Sequence, residues 1–339
     1  MSQSTAVVLI PAYKPDERLI ALCRALRDQN LTVLVVDDGS GEKFAPVFEQ
    51  VSVLGCALER HAVNLGKGRA LKTGINTALN RFPGLSGVVT ADADGQHTPE
   101  DILRVIAAME AHPHALVLGA RAFTGKVPLK SRWGNGITRQ VYRFVSGIRC
   151  RDTQTGLRGI PAAALPDMLR LPGERYEYEM TMLLHLRDLK MPLEEVPIDT
   201  IYLDNNKGSH FHPFRDALRI YAVIAKFLLS SLLSFALNYA LYLLALAMGF
   251  APWVCYVTAR LLSSGFNYGM NRMAVFGGRG GRGSLLRYYL LAMVQMAVGA
   301  ALVQLLSGIA GIDAVWIILP VDTLLFFISY LIQRDFVFK

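Results

Sequence analysis

The sequence predicts an α/β domain with a mostly parallel sheet and helices on both faces, followed by an all-α domain of four transmembrane helices. Three observations carry this. Apolar, β-branched runs at 6–12, 32–37, 53–59, 86–92 and 115–120 alternate with helical patterns near 16–29, 42–51, 68–81 and 99–111, the order a parallel sheet requires. From Tyr221 onward charge nearly vanishes, whereas residues 1–220 have an ordinary soluble composition. The apolar tail also repeats itself at a constant offset. These features divide the 339 residues into a sheet domain at 1–212, a juxtamembrane amphipathic helix at 213–226 and a membrane domain at 227–339.

In the sheet domain, three strand ends carry polar motifs. "LIPAYKPDERL" follows the first strand, "VVDDGSGE" the second and "TADADGQH" the fourth. In the last of these, Val88 and Val89 read as buried strand and Thr98-Pro99 as the cap and first turn of a helix, so the acidic pair falls where strand gives way to loop. In an open α/β sheet that rim is where ligands bind. It gathers Asp37, Asp38, Asp92, Asp94 and Gln96. Clustered carboxylates repel one another and call for a cation or a donor-rich ligand. Asp-x-Asp with a nearby Gln oxygen suits a hard divalent ion such as Mg²⁺ or Mn²⁺, which bridges phosphates. Asp38, in an Asp-Gly turn, offers a carboxylate to a nucleobase N–H. A capped turn would explain either motif alone; three occupied strand ends argue for a site.

The tail contains apolar stretches at about 227–250, 252–275, 288–312 and 314–332, each near the ~20 residues needed to cross a bilayer core. Arg272, Arg279, Arg282 and Arg287 lie between the second and third, and Arg334 and Lys339 follow the fourth. By the positive-inside bias both ends of the tail face the cytoplasm. No cleavable signal pattern precedes the first strand, which leads to the same expectation for the sheet domain. The net charge of +8 is assigned to a membrane surface and not to nucleic acid. Cys23, Cys56, Cys150 and Cys255 lack metal-ligand spacing and read as reduced, packed thiols. Within the tail, "FNYGMNRMAVF" (266–276) matches "ISYLIQRDFVF" (328–338) at an offset of 62, as two hairpins of one orientation would. The same offset relates Arg260 to Asp322, which are expected to pair at matching depth. Residues 125–150 mix Lys126, Lys130, Arg132, Arg139, Arg143 and Arg149 with Trp133, Ile137, Val141, Phe144 and Val145, a pattern suited to helices lying in a headgroup layer.

Taken in order, "IPAY", "VVDDGS", "NLGKGRAL", "TADADGQH", "LGAR" and "DTQTGLRG" resemble the family 2 glycosyltransferases of GT-A (Rossmann-like) fold, within them the dolichyl-phosphate mannose synthase and polyprenyl-phosphate glycosyltransferase branch. Residues 222–339 resemble the GtrA-like membrane proteins. The resemblance implies a transfer of sugar from a UDP- or GDP-sugar to a polyprenyl phosphate such as undecaprenyl phosphate, at a bacterial cytoplasmic membrane, in cell-envelope glycan assembly. By the same resemblance Pro11, Tyr13, Val36 and Asp38 surround the base, and Ala12 and Asp37 belong to the nucleotide-sugar site. Asp92, Ala93 and Asp94 hold ribose and diphosphate, Asp94 and Gln96 the metal, and Arg121 a phosphate. Gly66-Lys67-Gly68 falls on a loop near the nucleotide, or is simply a helix-entry turn. Lys14-Pro15 interrupts the family's acidic position and leaves Asp16 or Glu17 as the displaced acid. In "YLDNNKGSHFH" (202–212) Lys207 is the nearest counterpart of the family's cations, and Glu177 of "RYEYEM" is a candidate sugar contact.

The chemistry expected of such a chain follows from its acceptor. A phosphate monoester has a second pKa of about 6 and is mostly dianionic at neutral pH, so no general base is required. Arg132 and Arg158 are assigned to the lipid phosphate, and Asp152 to orienting cations or sugar hydroxyls. In-line displacement inverts the anomeric carbon. A processive polysaccharide synthase and a lipid-linked-sugar flippase with a donor-binding accessory domain remain as alternatives, and homo-oligomerisation is left open.

Overall fold

The computed structural model describes residues 5–121, 129–199, 213–310 and 314–339. It separates into two compact units, Met1–Ile220 and Tyr221–Lys339.

The first unit is built on seven strands: β1 (Val7–Ala12), β2 (Thr32–Asp37), β3 (Ala57–Arg60), β4 (Gly87–Thr90), β5 (Leu116–Arg121), β6 (Arg158–Pro161) and β7 (Leu193–Ile198). Their order in the sheet is β3-β2-β1-β4-β6-β5-β7. All pairings are parallel except those of β6, which runs antiparallel to β4 and β5. The apolar runs "VVLIPA" and "TVLVVD" form the centre because their residues are buried on both faces, as strands covered by helices on each side must be.

Alternation along each strand sorts the packing. Val8, Ile10, Val33, Val35 and Val89 share a core with helices α1 (Glu17–Asp28), α2 (Ala45–Val53) and α4 (Pro99–Ala111). Leu9 points to the other face, against Gly74 of α3 (Lys67–Arg81). Helix α4 begins as its sequence dictates: the Thr98 hydroxyl accepts the Asp101 N–H at 3.1 Å and Pro99 occupies the first turn, satisfying donors a helix start leaves open.

Two departures from the alternation have local causes. The expected strand at 53–59 starts late, at Ala57, because α2 continues to Val53 and turns at Gly55 with φ 78°. β6 and β7 both lie beyond the expected strands, since Arg-Gly-Ile-Pro of β6 offers no apolar alternation and Leu-Glu-Glu-Val-Pro-Ile of β7 is broken by two acids and a proline. After β6 come α6 (Leu165–Arg170) and α7 (Glu177–His185).

Helix α5 (Leu129–Ser146) corrects part of the headgroup-layer expectation. Tyr142 and Val145 are buried, and the Tyr142 hydroxyl donates to the Leu183 carbonyl of α7 at 2.9 Å. Its C-terminal half therefore packs on its own domain.

The second unit contains most of α8 (Pro213–Ala247) and all of α9 (Pro252–Met270), α10 (Ser284–Ala310) and α11 (Ala314–Ile332). Segments Tyr221–Ala247 and Ser284–Leu306 are long and apolar enough to cross a membrane. Both α9 and α11 end in a π-helical turn, Asn271–Val275 and Gln333–Val337, again 62 residues apart. Repeat-related residues meet: the Asn271 amide donates to the Gln333 carbonyl at 3.0 Å, and the Phe276 and Phe338 rings stack at 4.8 Å. Contacts between equivalent positions are what a twofold axis between the repeats produces. Asn267 ties the helices further, donating to the Ser234 hydroxyl at 2.9 Å and accepting from Tyr288 at 2.7 Å, the kind of polar bond that holds membrane helices together.

The expected Arg260–Asp322 pair is not formed. Both side chains are exposed, and neither makes an ion pair or a side-chain hydrogen bond among the described residues. Each lies on an outward flank of its helix, and α10 packs against both helices.

One backbone position in the sheet domain is strict. Gly39 follows β2 at φ 70°, and a Cβ there would stand 2.2 Å from the Val63 carbonyl carbon. Gly39→Ala is expected to cost on the order of 2–4 kcal/mol through left-handed strain and backbone displacement. Thermal unfolding of the full chain in detergent reads this directly; an unchanged midpoint would refute the strictness of the turn.

Candidate active site

The parallel strands β1, β2 and β4 deliver their C-terminal ends to one rim of the sheet. At the end of β1, Pro11 is partly open, Ala12 is buried and Tyr13 is exposed, with the Lys14 ammonium over its ring at 5.0 Å. The Lys14-Pro15 departure is accommodated by a left-handed Lys14, φ 51°, whose N–H donates to the Ser40 hydroxyl at 2.9 Å. Glu17 lies exposed in the first turn of α1. Val36 is fully buried within the sheet. This corrects its expected place beside a base, because its side chain belongs to the packed interior.

Asp37 and Asp38 are both buried and both spoken for. Asp37 accepts the Ser40 N–H at 2.9 Å. The Asp38 carboxylate accepts four bonds: from His61 Nδ1 at 2.8 Å, Leu65 N–H at 2.9 Å, the Asn64 amide at 2.9 Å and Gly66 N–H at 2.8 Å. Two oxygens with about four lone-pair sites are thereby filled. The expectation of a carboxylate open to a nucleobase is corrected accordingly: in this structure Asp38 shapes the 61–66 loop. His61 is fixed from its other side by the Thr73 hydroxyl, 2.9 Å from Nε2.

That loop ends at the start of α3, where Lys67 is the first helical residue. Its ammonium lies 2.6 Å from Asp92 and 3.0 Å from Glu179. Burial alone would lower the Lys67 pKa, but Asp92 and Glu179 together hold it above its ordinary value. Burial likewise works against the charge on Asp92, yet Lys67, His97 and Arg121 bring that carboxyl down to about 2. Asp92 is also crowded by Gly156, where a Cβ would come 2.4 Å from the carboxylate; only glycine lets "DTQTGLRG" approach so closely.

Two residues on, Asp94 is in the opposite state. Burial and the neighbouring Asp92 charge raise its pKa. One of its oxygens accepts the Gln96 N–H at 3.0 Å, and no side chain forms an ion pair with it among the described residues. Ala93 lies half-buried between the two acids. His97 is buried, its pKa lowered by that burial, and its Nδ1 accepts the Asp92 N–H at 3.0 Å, which fixes the loop and places the ring proton on Nε2.

The end of β5 supplies Arg121, which makes a two-pronged contact with buried Asp152 at 2.6 and 3.0 Å. Arg158 is overturned as an acceptor-phosphate contact. It is only 1% exposed, and its guanidinium donates to the carbonyls of Thr155 and Glu179, so it cross-braces β6 and α7. Glu177 accepts the backbone N–H groups of Glu174 and Arg175 and shapes the turn before α7, while Glu179 reaches Lys67. Lys207 lies outside the described residues, as does the side chain of Arg132.

The sequence assigns no role to His97, His61 and Asn64, and of the two acids in "RYEYEM" it favours Glu177 over Glu179. Glu179 had a signal in "RYEYEM", but helical spacing turns residues two apart in different directions and does not say which acid faces inward. His61 and Asn64 flank the 61–66 loop without any motif of their own.

Asp94 and Gln96 are the oxygen donors suited to a divalent cation here. The residues fit one in a specific sense: Asp94 is a partly buried carboxylate without a counter-charge, beside an acid that already has one. Among the described residues no cluster of three His, Cys, Asp or Glu side chains could hold a metal alone. A hard ion that keeps waters and takes phosphate oxygens suits so sparse a donor set.

Comparison with known proteins agrees with this layout. Residues 7–166 match glycosyl transferase family 2, and residues 226–338 match the GtrA/DPMS transmembrane domain. An uncharacterised protein of Methanocaldococcus jannaschii is 30% identical over 203 residues, covering 58% of this chain and 82% of that one. The UDP-N-acetylglucosamine–dolichyl-phosphate N-acetylglucosaminyltransferase of Methanococcus voltae is 28% identical over 224 residues, 60% and 88% of the two chains. The polyprenol monophosphomannose synthase of Mycolicibacterium smegmatis is 26% identical over 203 residues, 57% and 76%. In fold alone, glucosyl-3-phosphoglycerate synthase from Mycobacterium tuberculosis is similar, with a TM-score of 0.50 at 14% identity over 65% of this chain and 79% of that one. The chain belongs to glycosyl transferase family 2 and carries a GtrA/DPMS transmembrane domain.

Lys67→Met would remove the ammonium between Asp92 and Glu179 and leave Glu179 without its ion-pair partner, at an expected cost of about 3–5 kcal/mol. Glu179→Gln should cost less, and the two changes should be non-additive by about 1–3 kcal/mol in a double-mutant cycle. The pH dependence has a definite sign. Asp92 is depressed from 3.8 to about 2 in the folded chain, so its contribution to stability is present above pH ~4 and is lost as the pH falls towards 2. In Lys67→Met this acid limb should move upward. Additive effects, or an unmoved limb, would contradict the clamp.

Proposed function

We propose that this family 2 glycosyltransferase moves a sugar from a UDP- or GDP-sugar to a polyprenyl phosphate, such as undecaprenyl phosphate, with inversion and with Mg²⁺ or Mn²⁺. The observation that carries the reading is the division of charge between Asp92, already neutralised by Lys67, and Asp94, which is not. The names of the Methanococcus and Mycolicibacterium relatives support the acceptor class.

The nucleoside diphosphate lies along the rim, with Pro11 and Tyr13 beside the base and Asp92 and Ala93 at the ribose and diphosphate. Asp37 and Asp38 act through the loop they shape. Asp94 and Gln96 would hold the cation, which supplies charge neutralisation to the leaving diphosphate when bound. Arg121, oriented by Asp152, adds positive charge on the same side, and Lys67 stands ready to exchange a carboxylate for a phosphate oxygen.

Asp152 is engaged with Arg121 and has no proton to remove, because the acceptor phosphate is already anionic near neutral pH. The difficulty is to bring one anion towards another. Basic residues on α5, Arg132 among them, receive the lipid phosphate at the bilayer surface. Direct attack at the anomeric carbon gives inversion. The arginine-rich helix ends support, by the positive-inside bias, a reading in which the sheet domain and the C-terminus face the cytoplasm at a bacterial inner membrane.

Purified full chain in detergent, supplied with Mn²⁺, undecaprenyl phosphate and a panel of UDP- and GDP-sugars, should release nucleotide and form a lipid-linked monosaccharide. Asp94→Asn should lower kcat by roughly 10²–10³-fold. Because the Asp94 pKa is raised in the metal-free chain, protons should compete with Mn²⁺ at this carboxylate, so the Mn²⁺ concentration giving half-maximal activity should rise as the pH is lowered. A long polymer would instead indicate a processive synthase. No glycolipid, with transport of one across vesicles, would indicate a flippase.

A further inference from the structure

The geometry points to assembly of the membrane domain with further copies of this chain, the Arg260 flank of one copy docking on the Asp322 flank of the next. Two independent facts lead there. The first is that neither charge is satisfied within the chain: both side chains are exposed, without an ion pair or side-chain hydrogen bond among the described residues. The second is their placement. Arg260 lies eight residues into α9 from Pro252, and Asp322 eight residues into α11 from Ala314, about 12 Å along each helix at ~1.5 Å per residue.

The internal repeat makes these equivalent positions, and its twofold relation puts them on opposite flanks of the bundle at one depth. The axis is marked by the Asn271–Gln333 and Phe276–Phe338 contacts. A bundle with a positive charge on one flank and a negative charge at the same height on the other is complementary to itself in a head-to-tail sense.

Lipid does not answer both charges. A long Arg side chain can reach towards a headgroup, but Asp322 is short, and a carboxylate at that depth needs a donor brought to it. Most exposed side chains close by are apolar, Val257, Leu261 and Leu262 near Arg260 and Leu324 and Phe327 near Asp322, although Thr258 and Thr323 are exposed there too. The exposed face thus carries one charged group and otherwise favours a lipid or helix neighbour. Arg260 of an adjacent copy is a donor of matching depth and sign. The inference stands apart from the reaction, since neither residue belongs to the sheet domain.

Two variants, Arg260→Asp and Asp322→Arg, with different affinity tags, test it in lipid nanodiscs by native mass spectrometry. Wild-type full chain should contain more than one copy. Each charge reversal alone should weaken self-association by about 10-fold or more, whereas the two variants expressed together should co-purify, because each restores the opposite charge to its neighbour. Arg260→Gln and Asp322→Asn, which only neutralise, serve where a reversal fails to insert and should also weaken assembly. A monomeric wild type overturns the proposal. So do single variants that assemble like wild type, or tagged variants that do not co-purify. Loss of anionic-lipid binding by Arg260→Gln in a monomeric chain overturns it too, and assigns Arg260 to a headgroup.

Discussion

The Lys67 ammonium, held between Asp92 and Glu179, is the constraint on which the candidate site depends. It joins three elements distant in sequence: the start of α3, the loop after β4 and α7. Its position is itself determined by Asp38, whose four acceptor bonds fix the Leu65-Gly66 backbone immediately before it. The second "DDGS" aspartate therefore acts at a distance. By shaping a loop it delivers a cation to the "DAD" motif, and the two acidic motifs become parts of one network.

The consequence is electrostatic. Two acids separated by a single residue would ordinarily share their repulsion, but Lys67 ion-pairs with Asp92 and offsets only part of the burial and repulsion that raise Asp94. Asp92, paired with Lys67, keeps its charge well below the ordinary carboxylate range. Asp94 retains the need for a counter-charge. Arg121 and Asp152 repeat the principle on the far side of β4, with a cation oriented by a buried carboxylate. On the function proposed above, a site prepared in this way would meet a diphosphate with charges already positioned, so that little reorganisation would be required as negative charge develops.

Much of this was legible in the sequence. The parallel sheet could be read because β1, β2 and β4 are apolar runs buried on both faces, and their ends could be read because Asp37-Asp38 and Asp92-x-Asp94 interrupt those runs. The internal repeat was legible because identical residue types recur at one spacing, and it reappears in the matching π-helical turns. Other features depend on three-dimensional encounter. Four residues beginning with Arg158 do not look like a strand, and a cation in "DTQTGLRG" looks like a phosphate ligand until its guanidinium is seen to bind carbonyls in the interior. The choice between Glu177 and Glu179 is made by where α7 lies against Lys67. The absence of an internal Arg260–Asp322 pair follows from the facing of two helices, which equal depth alone does not set.

On the proposed function Asp94, and not Asp92, is the carboxylate reserved for a cation on a nucleoside diphosphate. Titration of the full chain with Mn²⁺ in the presence of UDP or GDP, followed by electron paramagnetic resonance, addresses it without requiring turnover. Asp94→Asn should weaken nucleotide-dependent Mn²⁺ binding by about 100-fold, while Asp92→Asn should weaken it far less. Equal losses in the two variants, or Mn²⁺ binding that survives Asp94→Asn, would contradict the claim.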